Sequence, residues 1–170
     1  MRNSILLILV LFSAPVLSKE DCGLESIGLE ESSNVAEKLY YTGTCHYRNK
    51  DYELSARSWE KLSNLKNVDA EFQGLQVDVL NNLGYLTFFG FGIKQNQKLA
   101  VSYWVKAVSL GHYESEYHLC HAYADKEQST YNLAKARKHC EKALLIYKGM
   151  ENPDKDIMST LKKYNAQVNG

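Results

Sequence analysis

Sliding the chain along itself by 36 residues superimposes Leu83 on Leu119, Asn96 on Asn132, Ala100 on Ala136, Lys106 on Lys142 and Ala107 on Ala143 without a gap. A self-similar period of this length marks a repeat architecture, in which each unit buries its apolar face only by stacking on a neighbour. The units read as helical. Alternating β-branched runs bounded by turn dipeptides are absent, Pro153 is the only proline beyond Pro15, and most glycines stand at the edges of periodic segments. The expected class is therefore all-α. With 45% apolar and 24% charged residues, the 170-residue chain can build a core and is not a disordered polymer.

The best-defined unit runs Asn82-Leu83-Gly84-Tyr85-Leu86, then Gly90-Phe91-Gly92-Ile93, then Leu99 to Val108, and ends at Gly111-His112. This combination of small, aromatic and paired-glycine positions closely resembles the Sel-one-like repeat, a relative of the tetratricopeptide repeat. The resemblance implies an α/α superhelical repeat, a solenoid of stacked antiparallel helical hairpins. In such a unit Gly84 lets the first helix approach the second near Ala100, Leu83, Tyr103 and Ala107 fill the interface, and Gly90 and Gly92 supply positive φ in the turn. Hairpins are expected over 67–112 and 113–148, with a plainer tetratricopeptide-like hairpin over 37–66 containing Tyr41-Thr42-Gly43 and Trp59. Residues 67–82 make a long lead-in, read as an extended helix running into Gly84. In the last unit Cys120 stands where Gly84 was, and Lys126-Glu127-Gln128 replaces the glycine-bearing turn. Asn152-Pro153 reads as the cap and first turn of a terminal capping helix over 152–166.

The first residues point to a compartment. Met1-Arg2-Asn3, an apolar stretch from Ile5 to Phe12, and Val16 and Ser18 ahead of Lys19-Glu20-Asp21 match a secretory signal peptide over 1–18, leaving 19–170 as one helical-repeat domain. The apolar stretch falls well short of the roughly 20 residues a membrane span requires. The residues before Cys22 lack the small side chains of a lipid-attachment site. Four cysteines in an exported chain favour two disulfides, and composition alone leaves three pairings open.

The hairpin reading selects among them. Residues equidistant from a hairpin turn face one another, and Cys120 and Cys140 are equidistant from Thr130, inside the expected turn. They also occupy the positions of Gly84 and Trp104 in the preceding unit, so a Cys120–Cys140 bridge is expected and, by exclusion, Cys22–Cys45. Cysteine-rich members of the family carry disulfide-stapled hairpins with a different cysteine spacing. Histidines adjoin three cysteines, as Cys45-His46, Cys120-His121 and His139-Cys140, but adjacent helical residues point about 100° apart and no Cys-x-x-Cys half-site is present. No metal or cofactor is expected.

Equal numbers of acidic and basic residues, 20 each, give no electrostatic footprint for nucleic acid. No zinc-protease, nucleophile-elbow or phosphate-cradling motif occurs. Some cysteine-rich relatives bind or hydrolyse β-lactams, and Ser63-x-x-Lys66 and Ser159-x-x-Lys162 fit the Ser-x-x-Lys pattern. The partner motifs of that chemistry, Ser-Asp-Asn and Lys-Thr-Gly, are missing. The expected function is a non-catalytic, periplasmic or secreted adaptor that binds another polypeptide of the cell envelope or exterior in the concave groove of its repeats. Asn81, Tyr85 and Phe88 of one unit and Tyr117 and His121 of the next are the expected contact residues. A β-lactam hydrolase and a secreted effector acting on host proteins are the alternatives.

Overall fold

The structure, a computed structural model, describes residues 18–170, so the signal-peptide reading of residues 1–18 lies almost wholly outside the described residues. Among these residues there are seven α-helices and no strand: α1 (Val35–Arg48), α2 (Tyr52–Ser63), α3 (Gln73–Phe89), α4 (Gln97–Ser109), α5 (Glu114–Ala124), α6 (Leu133–Lys148) and α7 (Lys155–Asn169). They form antiparallel hairpins, α1 with α2, α3 with α4 and α5 with α6, stacked in chain order and closed by α7 against α5 and α6. The protein is a helical-repeat solenoid.

The sequence period is visible in individual hydrogen bonds. Asn96 caps α4 by accepting from Leu99 N–H at 3.0 Å, and Asn132 caps α6 by accepting from Lys135 N–H at 3.0 Å. The backbone N–H of each asparagine also closes its turn, donating to the Thr87 carbonyl and the Tyr123 carbonyl respectively, both at 2.9 Å. The two turns hold their shape by different means. Gly92 has φ +67°, and a Cβ there would lie 2.7 Å from the Tyr52 Cβ, so it must lack a side chain both for its own conformation and for its seat on the start of α2. In the glycine-free turn, the Thr130 hydroxyl donates to the Ala122 carbonyl at 2.6 Å and the Asp125 carboxylate accepts from Glu127 N–H at 3.0 Å.

Each hairpin is closed by one pair of residues. In the second, a Cβ on Gly84 would lie 2.7 Å from Trp104 Cδ1, and the wholly buried Trp104 donates its indole N–H to the Asn81 carbonyl at 3.0 Å. The close approach opposite Gly84 is thus filled by Trp104, one turn beyond Ala100. In the first, Gly43 meets Trp59 in the same way, and Trp59 donates to the Tyr40 carbonyl at 3.3 Å, again three residues before the glycine. In the third, Cys120 and Cys140 replace glycine and tryptophan and are bonded, with Cα atoms 4.6 Å apart. Glu116, one turn before Cys120 and buried, reinforces this hairpin by accepting from His139 Nδ1 and Lys142 Nζ, both at 2.6 Å. Cys22 is bonded to Cys45 and holds the segment before α1 against that helix. The Asn49 amide pairs both ways with the Glu20 backbone nearby.

The core has two parts. Ala56, Trp59, Leu62, Val79, Leu83 and Leu86 bury the seam between the first hairpin and α3, and Phe88, Trp104, Leu119, Ala136, Leu144 and Leu161 bury the rest. A buried leucine such as Leu83 contributes about 2–3 kcal/mol. Two local expectations change. The lead-in is a loop, in which Asn67 takes a left-handed conformation with φ 58°, followed by a short 3-10 turn over Ala70–Phe72, and α3 begins only at Gln73. The terminal helix is capped by Asp154, whose carboxylate accepts from Asp156 and Ile157 N–H at 2.9 Å, so Asn152 and Pro153 precede it and the helix extends to Asn169.

Candidate partner-binding groove

Helices α1, α3, α5 and α7 approach one another in sequence, whereas α2, α4 and α6 do not to a similar extent. The odd-numbered helices therefore line the inner, concave side. Successive inner helices run parallel, so α3 and α5 meet along their length, each α3 side chain contacting a residue two or three positions before its repeat equivalent: Ser115 hydrogen-bonds Asn81, His118 packs on Tyr85, and His121 packs on Phe88.

That stacking corrects part of the expected contact surface. Asn81, Tyr85 and Phe88 share one helical stripe, but it faces α5 as much as solvent. Phe88 is buried at 1% exposure against Trp104, and Asn81 is 5% exposed, its Oδ1 accepting from the Ser115 hydroxyl at 2.8 Å. Phe88 is closed off from the groove, whereas Asn81, though little exposed, also lines two of its cavities. Tyr85, Tyr117 and His121 are half-buried. Tyr85 lies against Phe89 and Phe91, both of which are substantially exposed, and His121 Nδ1 lies 2.9 Å from the Tyr164 hydroxyl of α7.

The inner side holds an aromatic-walled cavity of about 400 Å³ formed by Tyr40, Tyr47, Trp59, Tyr85 and His118, with Thr44, Asn81 and Asn82 completing it. Tyr40, Thr44 and Tyr47 project from α1 at spacings of four and three, which places them on one face. Beside it, and sharing Tyr40 and the two asparagines, a more polar cleft of about 470 Å³ is edged by Asp78, His112 and Glu114. The contribution of α1 was missed from sequence. The Tyr40–Tyr47 spacing of two helical turns was the available signal.

Charge is segregated across the second and third hairpins. The inner helices α3 and α5 contain no lysine or arginine, only Asp78, Glu114 and Glu116, whereas the outer helices α4 and α6 carry Lys98, Lys106, Lys135, Arg137, Lys138, Lys142 and Lys148 against the single acid Glu141. Burial, with smaller repulsion from His121 and His112, lowers the pKa of His118 to about 4, so its ring, stacked on Trp104, is neutral at physiological pH. Burial also lowers the His121 pKa, which Asp125 partly offsets. Burial, then Asp78 and other neighbouring negative groups, pushes the Tyr40 hydroxyl up, and burial pushes the Asp78 carboxyl up against the opposing pull of His112.

The candidate catalytic serines are not placed for chemistry. Ser63 is the last residue of α2, its hydroxyl donates to the Glu60 carbonyl at 2.9 Å, and Lys66 lies beyond the helix end. Ser159 and Lys162 are both exposed on α7, whereas a lysine base needs desolvation to accept a proton. One unforeseen Ser-His-Asp series occurs, with Ser115 Oγ 3.1 Å from His112 Nδ1 and His112 Nε2 3.6 Å from Asp78 Oδ1. The second contact is too long for a hydrogen bond, and the Ser115 hydroxyl is wholly buried with its proton on Asn81. All four cysteines are in disulfides, and among the described residues no group of three or more His, Cys, Asp or Glu side chains is arranged to hold a metal ion. No helix among them is long and apolar enough to cross a membrane.

The family model of the Sel1 repeat matches residues 77–112 and 114–145, two consecutive units that coincide with α3–α4 and α5–α6. Sel1 repeats are typically protein-interaction modules. No curated protein matches the chain.

Proposed function

We propose that the protein is a non-catalytic, exported adaptor whose concave groove receives a polypeptide of the cell envelope or exterior. The observation that carries this reading is the solvent-open aromatic groove built jointly by α1, α3 and α5 on a disulfide-stapled repeat array. Exposed or half-exposed aromatic rings on a rigid scaffold supply contact area at little entropic cost. Export is supported by the apolar segment Ile5 to Phe12 behind Arg2 and by four cysteines that are all paired, an arrangement that persists in oxidising compartments.

Affinity capture from the periplasmic and secreted fractions of the producing cell tests the proposal. Protein bearing Tyr85→Ala in the groove and Tyr117→Ala on the neighbouring helix α5 should lose a partner that the unaltered protein and a Val105→Ala, Leu145→Ala outer-face variant both retain. Equal retention by the groove variant, or partners found only in the cytosol, would refute it.

A further inference from the structure

The aromatic cavity and the charge segregation together define the chemistry of the occupant. Tyr40, Tyr47, Trp59 and Tyr85 come from three different helices and surround one space of about 400 Å³. Ring faces carry negative electrostatic potential, and several converging on one space attract a cation more strongly than any ring alone. The adjoining cleft shares Tyr40 and carries the carboxylates of Asp78 and Glu114. These are the charges that act on Tyr40, after burial itself.

No fixed cation from the surrounding helices satisfies those carboxylates. Helices α3 and α5 have neither lysine nor arginine. The two long cations of α1 are engaged elsewhere, Lys38 donating to the Glu31 carbonyl at 2.8 Å and Arg48 paired with Glu20 at 3.0 Å. His118, which walls the cavity, is neutral above about pH 5 and does not repel a positive guest. His112 Nε2 lies 3.6 Å from Asp78 Oδ1, so of the two carboxylates only Asp78 has an imidazole beside it.

We propose that this cavity is the recognition site for a lysine or arginine side chain in a basic segment of the partner, with the cation held among Tyr40, Tyr47 and Tyr85 and steered by Asp78 and Glu114. The inference rests on the adaptor reading and adds to it the sign and type of the ligand. A neutral apolar anchor would use the rings but not the carboxylates, and an acidic segment would be repelled by them and drawn to the outer helices.

The test uses the folded full-length protein with its disulfides intact, and the indole N–H resonances of its two tryptophans. Trp59 walls the cavity, whereas Trp104 lies behind that wall, stacked on His118 and buried against Phe88, so the first reports on the site directly and the second on the packing that supports it. Four blocked pentapeptides, glycine except for a central Arg, Lys, Leu or Glu, are titrated to millimolar concentration. The Arg and Lys peptides should shift the Trp59 resonance in a saturable way, and added salt should weaken them. Asp78→Asn should reduce their affinity roughly three- to tenfold, and Tyr47→Leu should reduce it at least as much while Tyr47→Phe, which keeps the ring, retains it. A preference for the Leu or Glu peptide, or Arg binding unaffected by Asp78→Asn and Tyr47→Leu, would overturn the assignment while leaving the adaptor reading intact. Absence of a shift with every peptide would overturn it too, and the adaptor reading would then stand or fall on affinity capture alone.

Discussion

Replacing Gly84 with alanine adds one methyl group where the second hairpin has no room for it. The new Cβ would stand 2.7 Å from Trp104 Cδ1 and closer still to its ring nitrogen, while Trp104 is wholly buried. Relief requires the indole to move away from α3, which also breaks its hydrogen bond to the Asn81 carbonyl. Overpacking of this kind costs about 1–3 kcal/mol, and the lost hydrogen bond about 1 kcal/mol. Alanine returns up to about 1 kcal/mol through its better helix propensity. The net expectation is destabilisation of about 1–3 kcal/mol, a fall in Tm of roughly 3–10 °C for a domain of this size. Gly74→Ala in the same helix supplies the control. Nothing lies within 4 Å of its Cβ position, so it should be neutral or stabilise by up to about 1 kcal/mol. Urea and thermal unfolding followed by far-UV circular dichroism, with the disulfides intact, measure both variants. If Gly84→Ala unfolds at or above the midpoint of Gly74→Ala, the close helix approach that defines the hairpin is wrong.

Removing the Cys120–Cys140 bridge by a double alanine substitution should cost about 3 kcal/mol, because it closes a loop with a sequence separation of 20, and denaturant midpoints of the two proteins check this. Gly92→Ala should be strongly destabilising in the same assay, since its positive φ and its contact with Tyr52 both exclude a side chain. Burial pushes the Glu116 carboxyl up, but hydrogen bonds from His139 and Lys142 and their charges outweigh it, and its pKa falls below the ordinary value. Its contribution is therefore complete above the unfolded value near 4.5 and is lost as pH falls through the lower folded value, so the stability gap between the native protein and Glu116→Gln should narrow on acidification below about pH 4.5. The His118 ring resonances should stay constant in NMR from pH 8 to pH 5, and a midpoint near 6.5 would contradict the burial of that ring.

The parts of the fold that were legible in the sequence are those in which the same side chain performs the same task twice. Asn96 and Asn132 cap equivalent helices and close equivalent turns, so one offset exposes both. The Gly43–Trp59 pair does the same work as Gly84–Trp104, yet it escaped because the first hairpin has a shorter turn and the loop before α3 shifts the register, so no single offset aligns both residues. Of the groove, Tyr85 could be placed from helical spacing. Phe88 could not, and Asn81 only in part, because spacing identifies a stripe but not how far a neighbouring helix covers it. Whether Asn152 or Asp154 caps α7 depends on which side-chain oxygen reaches the exposed amides, and nearby polar residues are equivalent on that point until the chain is built.

Photo-crosslinking in the producing cell tests the groove most directly. With a benzophenone amino acid at Tyr85 in one protein and at Leu145, on the exposed outer face, in another, the account predicts a discrete adduct with a second polypeptide from position 85 and none from 145. Adducts from position 145 alone would place the interaction on the outer helices and contradict it.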